Sequence, residues 1–149
     1  MLSTHVQSSG FPGLPHSATF PSDPALFKAL ALHARRIRCE EDRLLFAQRD
    51  EPIGLFLVRS GTVQAVVHSD DDGVVAVFHA DPGSVLGLPA VASNRPYSLS
   101  ALARQGSDVA FLSKDDFDML VADEPGIQMA ILRVLAAEVQ TARALLSCF

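Results

Sequence analysis

Residues 55–67 read LFLVRSGTVQAVV. Gly54 to Val58 is a short apolar run, Ser60–Gly61 is a turn, and from Thr62 to His68 the chain alternates, with Val63, Ala65 and Val67 on one face. Two short apolar runs joined by a Ser-Gly turn predict two strands. Working outward, SDDDG (69–73) has the composition of a hairpin turn with Gly last. Val74 to His79 then returns, and Asp81–Pro82–Gly83 turns again. Upstream, Arg43 to Gln48 is another short run. Downstream, Leu99 to Ala103 and Asp108 to Leu112 flank Gln105–Gly106. Several short strands separated by regular turn signals predict a β-sandwich or barrel.

Both ends of this β region read as helical. Asp23–Pro24 supplies an N-cap and an N1 proline, followed by Leu26, Leu30 and His33 at helical spacing. Ser113 can cap a helix containing Asp115, Asp116 and Phe117, the two carboxylates favouring its first turn. Pro125 opens a longer helix, 125–146, in which Leu132, Leu135, Val139, Ala142 and Leu146 step by three and four. That spacing is a heptad seam. Ile127, Ile131 and Val134 form a second apolar face. One face suits the protein's own barrel and the other a second copy of the chain, so a homodimer through this helix is expected.

The chain has 149 residues, which suggests a single domain able to bury a substantial core. Residues 1–22 are rich in Ser, Thr, Gly and Pro and read as a flexible arm, leaving 23–149 as the folded unit. Twelve Lys and Arg against 17 Asp and Glu give a net charge of −5, which argues against a nucleic-acid surface. The two cysteines, Cys39 and Cys148, have no metal-ligand spacing and suit free thiols in a reducing compartment. With neither a secretory leader nor a run of transmembrane length, a cytoplasmic protein without membrane contact is expected.

The segment 83–103, GSVLGLPAVASNRPYSLSALA, poses the functional question. Glycines ahead of a short helix let backbone N–H groups approach a phosphate, and such a pocket usually adds an Arg. In order and spacing, the strand–Ser-Gly–strand segment, this Gly-x-x-x-Gly cassette and the closing segment FLSKDDFDMLVADEPGIQMAILRVLAAEV (111–139) resemble the cyclic nucleotide-binding domain of the catabolite-activator (Crp/Fnr) superfamily. The resemblance runs from about Pro24 to Leu146. It implies a mainly β fold with flanking helices: an antiparallel β-roll (jelly roll), an N-terminal helix and a long C-terminal dimerisation helix.

It also implies the site. In the family cassette the second Gly begins a short helix facing the cyclic phosphate, a Glu after it takes the ribose hydroxyl, and an Arg with a neighbouring Ser or Thr neutralises the phosphate. In this chain the glycines are Gly83 and Gly87. Leu88 holds the Glu position, Pro89 and Ala90 follow, Tyr97 holds the Arg position and Ser98 supplies the hydroxyl. These residues are the candidate ligand-binding set. The exchange removes a charge-assisted bond worth roughly 1.5–3 kcal/mol, so tight binding of cyclic AMP or cyclic GMP is not expected, and no other cofactor is specified. Arg95 is a candidate anion contact, although a solvated turn residue is the simpler reading. Tyr97 can either stack on a ligand or plug the empty pocket.

The expected function is a small-ligand sensor or regulatory domain, not an enzyme. A ligand-free interaction module with a self-filled pocket is the alternative, and a metal-dependent cupin enzyme a weaker one. The cupin reading needs clustered histidines, of which only His68 and His79, at the ends of a hairpin, are candidates. Family transcription regulators continue into a helix-turn-helix domain. This chain ends at Phe149, so DNA binding in that manner is not expected. The basic cluster HARRIR (33–38) reads as a solvated face.

Overall fold

The structure, a computed structural model, describes residues 23–146. The arm expected over residues 1–22, and Cys148, lie outside the described residues.

The chain begins with helix α1 (Pro24–Ala31), where the Asp23 carboxylate accepts from the Leu26 N–H at 3.0 Å. Eight strands follow: β1 (Arg35–Arg38), β2 (Arg43–Phe46), β3 (Gly54–Ser60), β4 (Val63–His68), β5 (Val74–Ala80), β6 (Val85–Leu86), β7 (Ser100–Ala103) and β8 (Asp108–Ser113). Helix α2 (Leu88–Ser93) interrupts them between β6 and β7. Helices α3 (Lys114–Asp123) and α4 (Pro125–Leu146) close the domain. Ser113 caps α3, its hydroxyl accepting from the Asp116 N–H at 3.1 Å.

The strands form two antiparallel four-stranded sheets, ordered β1-β8-β3-β6 and β2-β7-β4-β5. This is the β-roll that the resemblance implied, with helices at both ends. Strand β3 is the hinge of its packing. Leu55 and Leu57 face one way, into a cluster with Leu26, Leu30, Leu112, Phe117 and Ile131 from the helices and β8. Phe56 and Val58 face the other way, into the roll interior with Val63, Ala80, Ala101 and Val109. Period-two alternation therefore serves two cores at once, and explains why this strand is apolar without a break.

The second apolar face of the C-terminal helix does what its spacing predicted. Ile127, Ile131 and Val134 are buried in the helix-side core, each contributing about 1.5–3 kcal/mol by removal from water. The residues of the heptad seam divide. Leu132 and Val139 are exposed at 59% and 50%, whereas Leu135 is partly buried against the core. The side chains of Ala142 and Leu146 lie outside those described.

Two expectations are corrected. His33 does not continue α1, which ends at Ala31; it lies in the exposed link to β1. The basic cluster keeps the solvated face expected of it, carried on a strand: Arg35–Arg38 pairs with β8 along the sheet edge, Arg35 opposite Phe111 and Arg38 opposite Asp108. The arginine side chains stay exposed on that edge, where charge discourages further strand pairing. His68 and His79 do not meet, because His79 sits opposite Gln64 while His68 sits opposite Val74 near the hairpin tip. Among the described residues there is no cluster of metal-ligating side chains.

Candidate functional site

The cassette is built on the β3–β6 pairing, Phe56 opposite Leu86 and Leu57 opposite Val85. The Val58 carbonyl accepts from the Gly83 N–H at 2.8 Å and the Val58 N–H donates to the Ser84 carbonyl at 3.0 Å, fixing where the cassette starts. Gly87 caps α2 with a φ of +90°, and a Cβ there would lie 3.1 Å from the Tyr97 ring and 3.3 Å from the Gly54 carbonyl oxygen. Both the left-handed backbone and the close approach demand glycine. Pro89 sits in the first turn, where its missing N–H costs no helix bond.

The side chains after Gly87 alternate between the two cores. Leu88 is fully buried among Leu26, Leu55, Leu57 and Val91 in the helix-side cluster, whereas Ala90 joins the roll interior. This corrects the placing of Leu88 on the ligand site. Its side chain is held by the helix-side core and is not on the pocket wall.

Tyr97 is 3% exposed. Its ring stacks on Phe46 with centroids 3.9 Å apart. Its hydroxyl donates to the Gly54 carbonyl at 2.6 Å and accepts from the N–H groups of Ile53, at 3.0 Å, and Gly54, at 3.2 Å. Its backbone is held equally firmly. The Tyr97 N–H donates to the Asp50 carbonyl and its own carbonyl accepts from the Arg49 N–H. The phenol thus ties the return limb of the cassette to the start of β3. Its hydrogen-bonding capacity is filled by backbone. Arg95 is exposed in the turn between α2 and Tyr97 and is not on the pocket wall.

Beside Tyr97 a small, partly open pocket of about 30 Å³ remains. Phe46, Val85, Leu86, Gly87, Pro89 and Ala90 line one side, Tyr97, Ser98 and Leu99 another, and Glu138 of α4 completes it. Of the expected ligand set, Gly87, Pro89, Ala90, Tyr97 and Ser98 therefore come together here. Glu138 was missed. Its signal lay in the helix pattern: Ile127, Ile131, Val134 and Glu138 step by four, three and four, so the barrel-facing stripe ends on a carboxylate. Burial pushes the Glu138 carboxyl up to about 7. A wall with a carboxyl and, among the described residues, no basic side chain is the reverse of a phosphate pocket.

This architecture and cassette match known proteins. Residues 36–124 match the family model described as the cyclic nucleotide-binding domain. The chain belongs to that family. Among curated relatives it is 27% identical over 111 residues to the acetyltransferase Pat of Mycolicibacterium smegmatis, covering 74% of this chain and 33% of that protein. It is also 27% identical over 107 residues to the fumarate and nitrate reduction regulatory protein of Yersinia pestis, covering 71% of this chain and 42% of that one. The chain thus spans a third to two fifths of the length of these relatives. Among solved structures, the Thermus thermophilus catabolite activator protein aligns with a TM-score of 0.69 at 21% identity, over 84% of this chain and 59% of that one. That likeness shows the shared fold.

Proposed function

We propose that this cyclic nucleotide-binding-type domain is a non-enzymatic small-ligand sensor that binds cyclic AMP weakly or not at all and pairs with a second copy through α4. The pocket wall carries the first part of this reading. Tyr97 occupies the position from which an Arg would neutralise the phosphate, its hydroxyl is consumed by backbone, and the acidic group facing any ligand is the Glu138 carboxyl, ionised as pH rises past about 7. A cyclic phosphate entering here meets the Glu138 carboxyl, a like charge once ionised, and finds no basic side chain among the described residues of the wall. The exposed apolar residues Leu132 and Val139, on the heptad seam, support the pairing. The free, buried Cys39 suits a reducing, cytoplasmic setting. Tyr97's burial also favours the second reading, a ligand-free module whose pocket the protein fills itself.

Isothermal calorimetry with cyclic AMP is expected to give no dissociation constant in the micromolar range or tighter; such a constant would overturn the cyclic AMP reading. Light scattering at tens of micromolar is expected to show a dimer, and Leu132→Glu with Val139→Glu to give monomers by setting like charges across the two-fold. A wild-type monomer, or an unchanged dimer in the double variant, contradicts the pairing.

A further inference from the structure

The pocket beside Tyr97 has an unusual balance of wall chemistry. Leu86, Ala90 and Tyr97 are buried apolar surface, and Pro89 and Leu99 extend it toward the mouth. The polar groups are few: the Ser98 hydroxyl, the backbone at Gly87 and the Glu138 carboxyl. Among the described residues no Lys, Arg or His lines it. Glu138 arrives from α4 across the cassette, at the end of the stripe that docks the helix on the core. A carboxyl held against an apolar wall is costly to ionise unless a positive partner arrives.

We propose that this pocket takes a small branched-alkyl ligand carrying a protonated amine, its alkyl group against Leu86, Pro89, Ala90 and Leu99 and its nitrogen on the Glu138 carboxylate. The inference rests on the reading of the pocket as a ligand site and names the class of ligand. Carboxylates and phosphates are repelled by Glu138, and neutral alcohols gain the apolar contact without the charge pairing. The ligand would bridge the cassette and α4, so that its arrival is felt on the helix carrying Leu132 and Val139.

The pairing makes binding pH-dependent. Burial holds the Glu138 carboxyl near 7. The groups facing it are uncharged: Phe46 of β2, Val85 and Leu86 of β6, Pro89 and Ala90 of α2, Ser98 and Leu99 before β7, and Val134 and Leu135 one turn back on α4. Tyr97, the other titratable group on the wall, has its hydroxyl engaged by backbone. An alkylamine stays protonated across this range, so the fraction of Glu138 ready to pair rises, and affinity with it, by roughly tenfold from pH 6 to pH 8.

The test is a ¹H–¹⁵N NMR titration of the full chain with isobutylamine, isobutanol, isobutyrate and cyclic AMP at pH 6 and pH 8, in wild type and Glu138→Gln. At pH 8 isobutylamine should shift the Gly87, Ala90 and Ser98 amides and bind roughly tenfold more tightly than isobutanol, with isobutyrate weakest. The preference should shrink at pH 6 and vanish in Glu138→Gln, whose unchanged spectrum elsewhere reports an intact fold. If isobutyrate or cyclic AMP binds at these amides as tightly as the amine, the pocket is a ligand site but the class is wrong. A preference for the amine that survives in Glu138→Gln overturns the role of that residue. If none of the four probes moves these amides at either pH, both this inference and the sensor reading fall, and the self-filled module stands.

Discussion

The two faces of strand β3 are packed with different materials. Toward the helices, Leu55 and Leu57 meet Leu26, Leu30, Leu88, Leu112 and Phe117, a closed cluster of large side chains. Toward the roll interior, Phe56 and Val58 meet Ala80, Ala90, Ala101 and Ala103, with the Phe46–Tyr97 stack at one side. The candidate site lies on this second side. Helix-side residues hold the domain together, whereas roll-side residues at the cassette shape a cavity. The same six-residue helix contributes to both, Leu88 to the first and Ala90 to the second.

The largest effect expected from breaking this contrast is on the helix side. Leu57 is fully buried, so Leu57→Ala should destabilise the domain by about 2–5 kcal/mol in a denaturant titration, the lost transfer energy plus a cavity that Leu55 and Leu112 cannot close. A loss below about 1 kcal/mol would show that this core collapses easily and that the contrast is weaker than the packing suggests.

On the roll side, Tyr97→Phe keeps the ring stacked on Phe46 and deletes only the hydroxyl. The Gly54 carbonyl loses its donor and the Ile53 and Gly54 N–H groups lose their acceptor, all at a largely buried strand start. A loss of about 1–3 kcal/mol is expected. A neutral result would mean that water replaces the hydroxyl, and that the return limb of the cassette is wetter than the roll around it.

The smallest effect, and the one that reverses sign, is at Glu138. A carboxyl raised to about 7 in the folded protein binds a proton there that the unfolded chain has already released above its ordinary value near 4.5. The folded state therefore holds more protons between those values, and stability falls as pH rises through them, the fall being complete just above 7. Partial exposure to the pocket mouth limits the loss to about 1–2 kcal/mol. Glu138→Gln should flatten this dependence and unfold later than wild type at pH 8. Parallel stability–pH curves for the two proteins would contradict a buried carboxyl.

Much of the fold was legible because its signals are local. Caps at Asp23 and Ser113, the Ser60–Gly61 turn and the alternation from Val63 give strand and helix positions without any knowledge of partners. Strand β1 was hidden because three of its four residues are Arg, and an edge strand needs little apolar character when sheet pairing alone defines it. The cassette's place was legible from its glycines. The direction of Leu88 was not, since it depends on which of two cores lies across from Gly87. The spacing in α4 puts Glu138 at the end of the barrel-facing stripe, but that this end meets the cassette is a tertiary fact.

The edge pairing of β1 with β8 sets a condition on how this protein comes off the ribosome. Arg35 finds its partner only at Phe111, and Arg38 only at Asp108. Strand β3 likewise pairs along its length with β8, Leu55 opposite Leu112. At synthesis rates of about 5–20 residues per second, the first sheet has no centre for several seconds after its outer strand has emerged. The β4–β5 hairpin, by contrast, closes within microseconds of leaving the tunnel. The nascent chain therefore can sample its local hairpin while β1 waits, and the arginines of β1 keep that strand charged and unattractive to other strands until β8 arrives.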